Sequence, residues 1–151
     1  MLYSSIGYYS LIFGSIVSLP IFFFSIRNFR NEEILDNRIL TLSFIQLFLV
    51  VISFLGLVFS FIYSDFSNET VFNNSHTTKP LFYKISGTWG NHEGSLLLWL
   101  LVLTLFIFLF LISSRGLLKK YRILTVLFQQ IIIIGFFVFL IKFSSPFNYI
   151  F

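Results

Sequence analysis

Apolar residues fall into four blocks along the chain, separated by polar segments of different character. The blocks cover residues 6–26, 40–62, 95–112 and 123–141. A helix needs about 20 apolar residues to cross the hydrocarbon of a bilayer, and each block meets or approaches that length. A single segment in lipid can satisfy its backbone only as a helix. The pattern predicts an all-α, polytopic membrane protein. It is one module over residues 1–151, with four transmembrane helices and one long outer-side loop at 63–94.

The polar connections set its orientation. The first carries Arg27, Arg30 and Arg38 among Glu32, Glu33 and Asp36. The third carries Arg115, Lys119, Lys120 and Arg122, whereas the long loop has only Lys79 and Lys84. Lys and Arg divide seven against two, with Lys142 in the tail. Loops rich in Lys and Arg stay on the matrix or cytoplasmic side. Both termini and the long loop are therefore expected on the opposite side. The first apolar run lacks the basic start and small-residue cleavage site of a signal peptide. The net charge of +4 sits beside the spans, so membrane lipid is the expected partner and nucleic acid is not.

Composition sharpens this picture. The chain is 57% hydrophobic and 11% charged, where a soluble domain carries about 25% charge. It has 23 Phe and no Ala. No packing rule demands that, and it looks like codon bias in an AT-rich, organellar genome. A mitochondrial gene product is the expectation. With no Cys, thiolate metal sites and cysteine nucleophiles are excluded, and no metal site is expected.

Small residues Gly7, Ser10, Gly14 and Ser18 recur at helical spacing in the first span, as do Gly56 and Ser60 in the second. Such residues let helix backbones approach closely in lipid. Pro20 marks a kink point. Gln46, Gln129 and Gln130 are the polar residues within the spans, and they suit hydrogen bonds between helices. No charge lies near mid-membrane, which argues against a pump or ion-coupled transporter. Asn68 and Asn73 head two Asn-x-Ser/Thr sequons, which carry no weight in a mitochondrial or bacterial protein.

Chemistry concentrates in residues 88–99, "TWGNHEGSLLLW". Gly87, Gly90 and Gly94 interrupt the approach to the third span. Asn91 suits an N-cap, and Glu93 falls in the first turn, where a carboxylate favours the helix dipole. His92, Ser95 and Trp99 share a face at offsets of three and seven. One reading is a capped, aromatic-anchored helix start with His92 hydrogen-bonded locally. The other is a cofactor surface, with His92 and Trp99 facing a ligand. His76, in the polar loop, reads as solvated.

The stretch "LFYKISGTWGNHEGSLLLWLLVL" resembles a hallmark of the CcmF/NrfE family, the haem lyases of system I cytochrome c maturation. "IGYYSLIFGSIVSLPIF" resembles that family's first helix. "SDFSNETVFNNSHTTKPLFYKISGTWG" resembles its first external loop, and "FSSPF" the segment after its fourth helix. Family members are much larger. Their tryptophan-rich W-G-x-x-W-x-W-D signature lies further along and is absent here. Their haem-ligating histidines also lie in later segments, matched by neither His76 nor His92. The chain resembles the N-terminal portion alone, broken in an outer loop that leaves every helix intact. A split mitochondrial gene would produce it.

The resemblance implies a subunit of a split haem lyase, which joins haem to the cysteines of a CxxCH apocytochrome c. Trp89, His92, Glu93 and Trp99 would line the haem chamber. Haem would be held only in the assembled complex, by ligands on a separate chain carrying the rest of the lyase. Other cytochrome c maturation proteins would be partners. The implied location is the mitochondrial inner membrane or, alternatively, a bacterial plasma membrane, with termini on the intermembrane-space or periplasmic side. A different reading stays open: a non-catalytic structural subunit of a larger respiratory complex of the inner membrane.

Overall fold

The computed structural model describes residues 2–31 and 37–150, without the side chains of Asn31 and Arg115. Glu32, Glu33 and Asp36 of the first connection lie outside the described residues. Four long helices dominate: α1 (Leu2–Asn31), α2 (Asn37–Ile62), α5 (His92–Ser113) and α6 (Lys119–Lys142). All four are long and apolar enough to cross a membrane. They run a few residues past the apolar blocks wherever flanking Tyr, Ser, Asn or Lys extends the helix without adding hydrophobicity. Pro20 lies inside α1, which continues to Asn31.

Each helix buries one narrow stripe. In α2 it is Ile39, Ser43, Gln46, Val50, Ser53, Leu57 and Ser60. In α6 it is Ile123, Val126, Gln130, Ile133, Phe137 and Leu140. Steps alternating three and four give a 3.5-residue repeat, the seam of helices packed nearly parallel. α1 packs against α2 and α6, and α5 packs against the same two. The result is a four-helix ring in the order α1, α2, α5, α6. Only 28% to 39% of each span is buried, so most of every helix is left to lipid or further protein. Phe13, Phe23, Phe48, Phe106 and Phe128 all point outward.

The small residues lie where close approach requires them. A Cβ on Gly56 would stand 2.9 Å from both the Gly7 Cα and the Tyr3 carbonyl oxygen, so α1 and α2 touch backbone to backbone. Gly14 faces the Phe137 ring of α6 and Val50 of α2. Ser10 and Ser25 are buried and return their hydroxyls to the carbonyls of Ile6 and Ile21, each at 2.7 Å. That pattern satisfies a hydroxyl in lipid while keeping the side chain small. Gln129 donates to the Leu103 carbonyl of α5 at 2.9 Å. Gln130 donates to the Ser18 carbonyl of α1 at 3.4 Å. Gln46 is buried without a partner among the described residues, so it departs from the interhelical role its position suggested.

The long loop is ordered, and it carries two short helices, α3 (Glu69–Asn74) and α4 (Leu81–Gly87). α2 ends in a Schellman turn: the Asp65 amide bonds the Ser60 carbonyl at 2.9 Å and the Ser64 amide bonds Phe61 at 3.1 Å. Ser64 occupies the left-handed position at φ 54°, which usually goes to glycine. Its hydroxyl accepts a 2.7 Å bond from Lys84 Nζ of α4, which ties the loop to the end of α2.

Asn68 fastens three parts of the chain. Its Oδ1 caps α3 by accepting from the Thr70 and Val71 amides. Its Nδ2 donates to Ser4 Oγ at 2.8 Å and to the Pro146 carbonyl at 3.0 Å. The backbone adds Glu69 N to Asn148 O at 2.9 Å and Ile150 N to Ser67 O at 3.1 Å. The tail therefore lies across the loop and seats Phe147 over Gly7. The Asn68 side chain is fully buried, whereas Asn73 is exposed.

Candidate functional site at the α4–α5 junction

The site begins where α4 stops. The Thr88 amide bonds the Ile85 carbonyl at 3.1 Å, and Gly90 bonds Ser86 at 3.1 Å. Asn91 then serves both helices. Its Oδ1 accepts from the Gly94 amide at 2.7 Å, capping α5, while its Nδ2 donates to the Gly87 and Thr88 carbonyls at 2.8 and 3.2 Å. One side chain thus joins the C-terminal carbonyls of α4 to the N-terminal amides of α5. The cap was readable from sequence, but the second half of the bridge was not.

Gly94 makes the junction possible. A Cβ there would fall 1.7 Å from the Thr88 carbonyl oxygen. Its backbone angles suit any residue, so space rather than conformational freedom requires glycine.

The tethered turn aims its side chains in different directions. His92, Trp99, Phe106 and Ser113 are all exposed, at sevenfold spacing along α5. They form one outward stripe, opposite the buried Leu97, Leu100 and Thr104. Trp99 is 60% exposed and Trp89, on the turn after α4, 42%. Ser95 lies beside the stripe and bonds the His92 carbonyl at 2.8 Å. That bond involves the His92 backbone. Among the described residues the imidazole has no hydrogen-bond partner, so local bonding of its side chain does not explain it.

Glu93 turns to a different place. It lines a cleft of about 190 Å³ with Glu69, Asn148 and Ser144, formed where the tail crosses the loop. Trp89, His92 and Trp99 do not line it. His76 is exposed in the loop. Among the described residues no three His, Cys, Asp or Glu side chains converge on one point. His76 lines a separate loop cleft with Phe66, Phe72 and Ser75, and His92 is not part of it. What the junction offers instead is an imidazole and an indole on one exposed, rigid helix face.

No protein-family model matches the sequence. Over 102 residues the chain is 42% identical to the cytochrome c-type biogenesis protein ccl1 of Rhodobacter capsulatus, covering 68% of this chain and 16% of that protein. It is 44% identical over 99 residues to the cytochrome c-type biogenesis protein CycK of Rhizobium meliloti, covering 66% and 15%. It is 34% identical over 123 residues to NrfE of Haemophilus influenzae, covering 82% and 19%. Among solved structures it superposes on a cytochrome c haem lyase, CcmF, with a TM-score of 0.86 at 26% identity, covering 98% of this chain and 25% of that one. The chain spans less than a fifth of the length of these sequence relatives.

Proposed function

The chain belongs to the CcmF/CycK/NrfE family of cytochrome c biogenesis proteins, and from that premise we propose that it is the N-terminal membrane subunit of a divided haem lyase. The observation that carries this reading is the extent of the structural match. Nearly the whole chain, 98%, superposes on a quarter of a haem lyase. The four-helix ring therefore corresponds to about a quarter of that larger fold, which supports the reading. A haem lyase attaches haem covalently to apocytochrome c, and the assembled complex is where haem would bind.

This chain contributes surface and rigidity. The Asn91 bridge and the Gly94 contact fix the first turn of α5. His92 and Trp99 then stand at set positions on a face that no described residue covers. Against a partner chain, Trp99 would supply a flat apolar wall, and His92 a hydrogen-bond donor or acceptor at its edge. Trp89 would close the wall where α4 ends. Glu93, held in the tail cleft, would position the junction instead of facing the chamber. The axial ligands would come from the partner. By the Lys and Arg asymmetry, the junction faces the intermembrane space of a mitochondrion or a bacterial periplasm, where apocytochrome c is matured.

His92→Gln and Trp99→Leu test the stripe. Neither residue is packed in the core, so the amount of chain in the membrane should stay normal. Covalent haem in cytochrome c, read by haem staining, should fall several-fold in each variant. Full haem staining in both would return the stripe to lipid contact.

A further inference from the structure

The opposite end of the ring carries a second feature that is independent of the haem-lyase reading. Between the end of α1 and the start of α6 lies a cavity of about 680 Å³. Its lining mixes polar Asn28, Lys119 and Lys120 with apolar Phe29, Leu117 and Leu118. Asn28 is 3% exposed, and among the described residues its Nδ2 has no hydrogen-bond partner. A buried amide donor left without an acceptor is costly.

The helix beside it is built against its own dipole. α6 begins at Lys119 with no side-chain cap and no acidic residue in its first turn. Its free amides and positive dipole end are joined by two ammonium groups, whereas the N-terminus of a helix favours anions. Arg122 is engaged elsewhere: it donates to Ser114 Oγ and the Leu111 carbonyl, both at 2.9 Å, and so closes the end of α5. Lys119 and Lys120 are exposed and have no partner among the described residues.

We propose that this cavity binds the phosphate of an anionic membrane lipid, with Asn28 Nδ2, the first amides of α6 and the ammonium groups of Lys119 and Lys120 as donors. The lining matches an amphipathic ligand. Leu117 and Leu118, 54% and 71% exposed, give the cavity apolar lining beside the two lysines. Free phosphate would leave that apolar side unused. Basic pockets between membrane helices on the side favoured by Lys and Arg are suited to such headgroups.

Native mass spectrometry of the full chain, released from nanodiscs containing equal phosphatidylglycerol and phosphatidylcholine of matched acyl chains, tests this. One phosphatidylglycerol should be retained in about tenfold preference. The Lys119→Gln/Lys120→Gln double variant should lose the preference, and so should Asn28→Leu if it folds. Lys142→Gln removes a charge at the other end of α6 and should keep it. Equal retention of both lipids by the native chain would overturn the proposal, as would equal loss in Lys142→Gln. Complete displacement of the lipid by inorganic phosphate would also overturn it, in favour of a free-anion site.

Discussion

Gly56→Leu should separate α1 from α2 and leave little folded chain in the membrane. Even the first added carbon would stand 2.9 Å from the Gly7 Cα and the Tyr3 carbonyl oxygen, and 3.1 Å from the Gly7 amide nitrogen. All three are backbone atoms, which no rotamer change can move. Overpacking a core costs about 1–3 kcal/mol where side chains can adjust. Here an entire helix must shift, and Phe147 rests on Gly7 at the same contact. A loss above about 3 kcal/mol is therefore expected, read as a collapse in purified yield and melting temperature. Gly14→Leu meets the Phe137 ring at 3.1 Å, which can turn, so its cost should be smaller. Gly135 has no heavy atom within 4 Å of its added Cβ. Gly135→Ala should be neutral or stabilise by up to about 1 kcal/mol through helix propensity. Native yield and melting in Gly56→Leu would mean that the two backbones do not meet there.

Gly94→Ala should unfasten the α4–α5 junction while the span itself remains. The methyl group would overlap the Thr88 carbonyl oxygen at 1.7 Å, so Thr88 must move by more than an ångström. That carbonyl also accepts from Asn91 Nδ2, so the bridge opens with it. Losing a cap costs about 1 kcal/mol alone, and displacing the backbone adds to it. Hydrogen exchange should accelerate at residues 88–95, whereas the amides of α5 beyond Leu97 keep their protection. Covalent haem in cytochrome c should fall further than in His92→Gln, because the whole turn that carries His92 is displaced. Unchanged exchange at residues 88–95 would show that the close contact is absent.

The four spans were legible because lipid imposes one requirement on every residue of a span, and composition records it directly. The stripe of Gly7, Gly14 and Gly56 was legible for a related reason, since only small residues allow backbone contact. Asn91 was readable as a cap from its place before an apolar run. Other features depend on partners far along the chain. Asn68 looked like the head of a sequon, yet its bonds reach Ser4 and Pro146, 64 and 78 residues away. No local pattern encodes such pairings. The short helices α3 and α4 hold six and seven residues, too few to show a period. For the candidate site, the shared face of His92 and Trp99 followed from helix geometry. The turn of Glu93 towards Glu69 and the tail depended on where the tail lies. The cavity beside Asn28 was invisible for the same reason, because it joins α1 to α6 across the sequence.

A divided haem lyase needs a second chain to supply the haem ligands. Isolation of the tagged chain from native membranes in mild detergent, with its bound proteins identified by mass spectrometry, would reveal that chain. The expected result is a stoichiometric membrane partner carrying the tryptophan-rich W-G-x-x-W-x-W-D segment and further histidines, together with other cytochrome c maturation proteins. Recovery of respiratory-complex subunits, with no such partner, would contradict it.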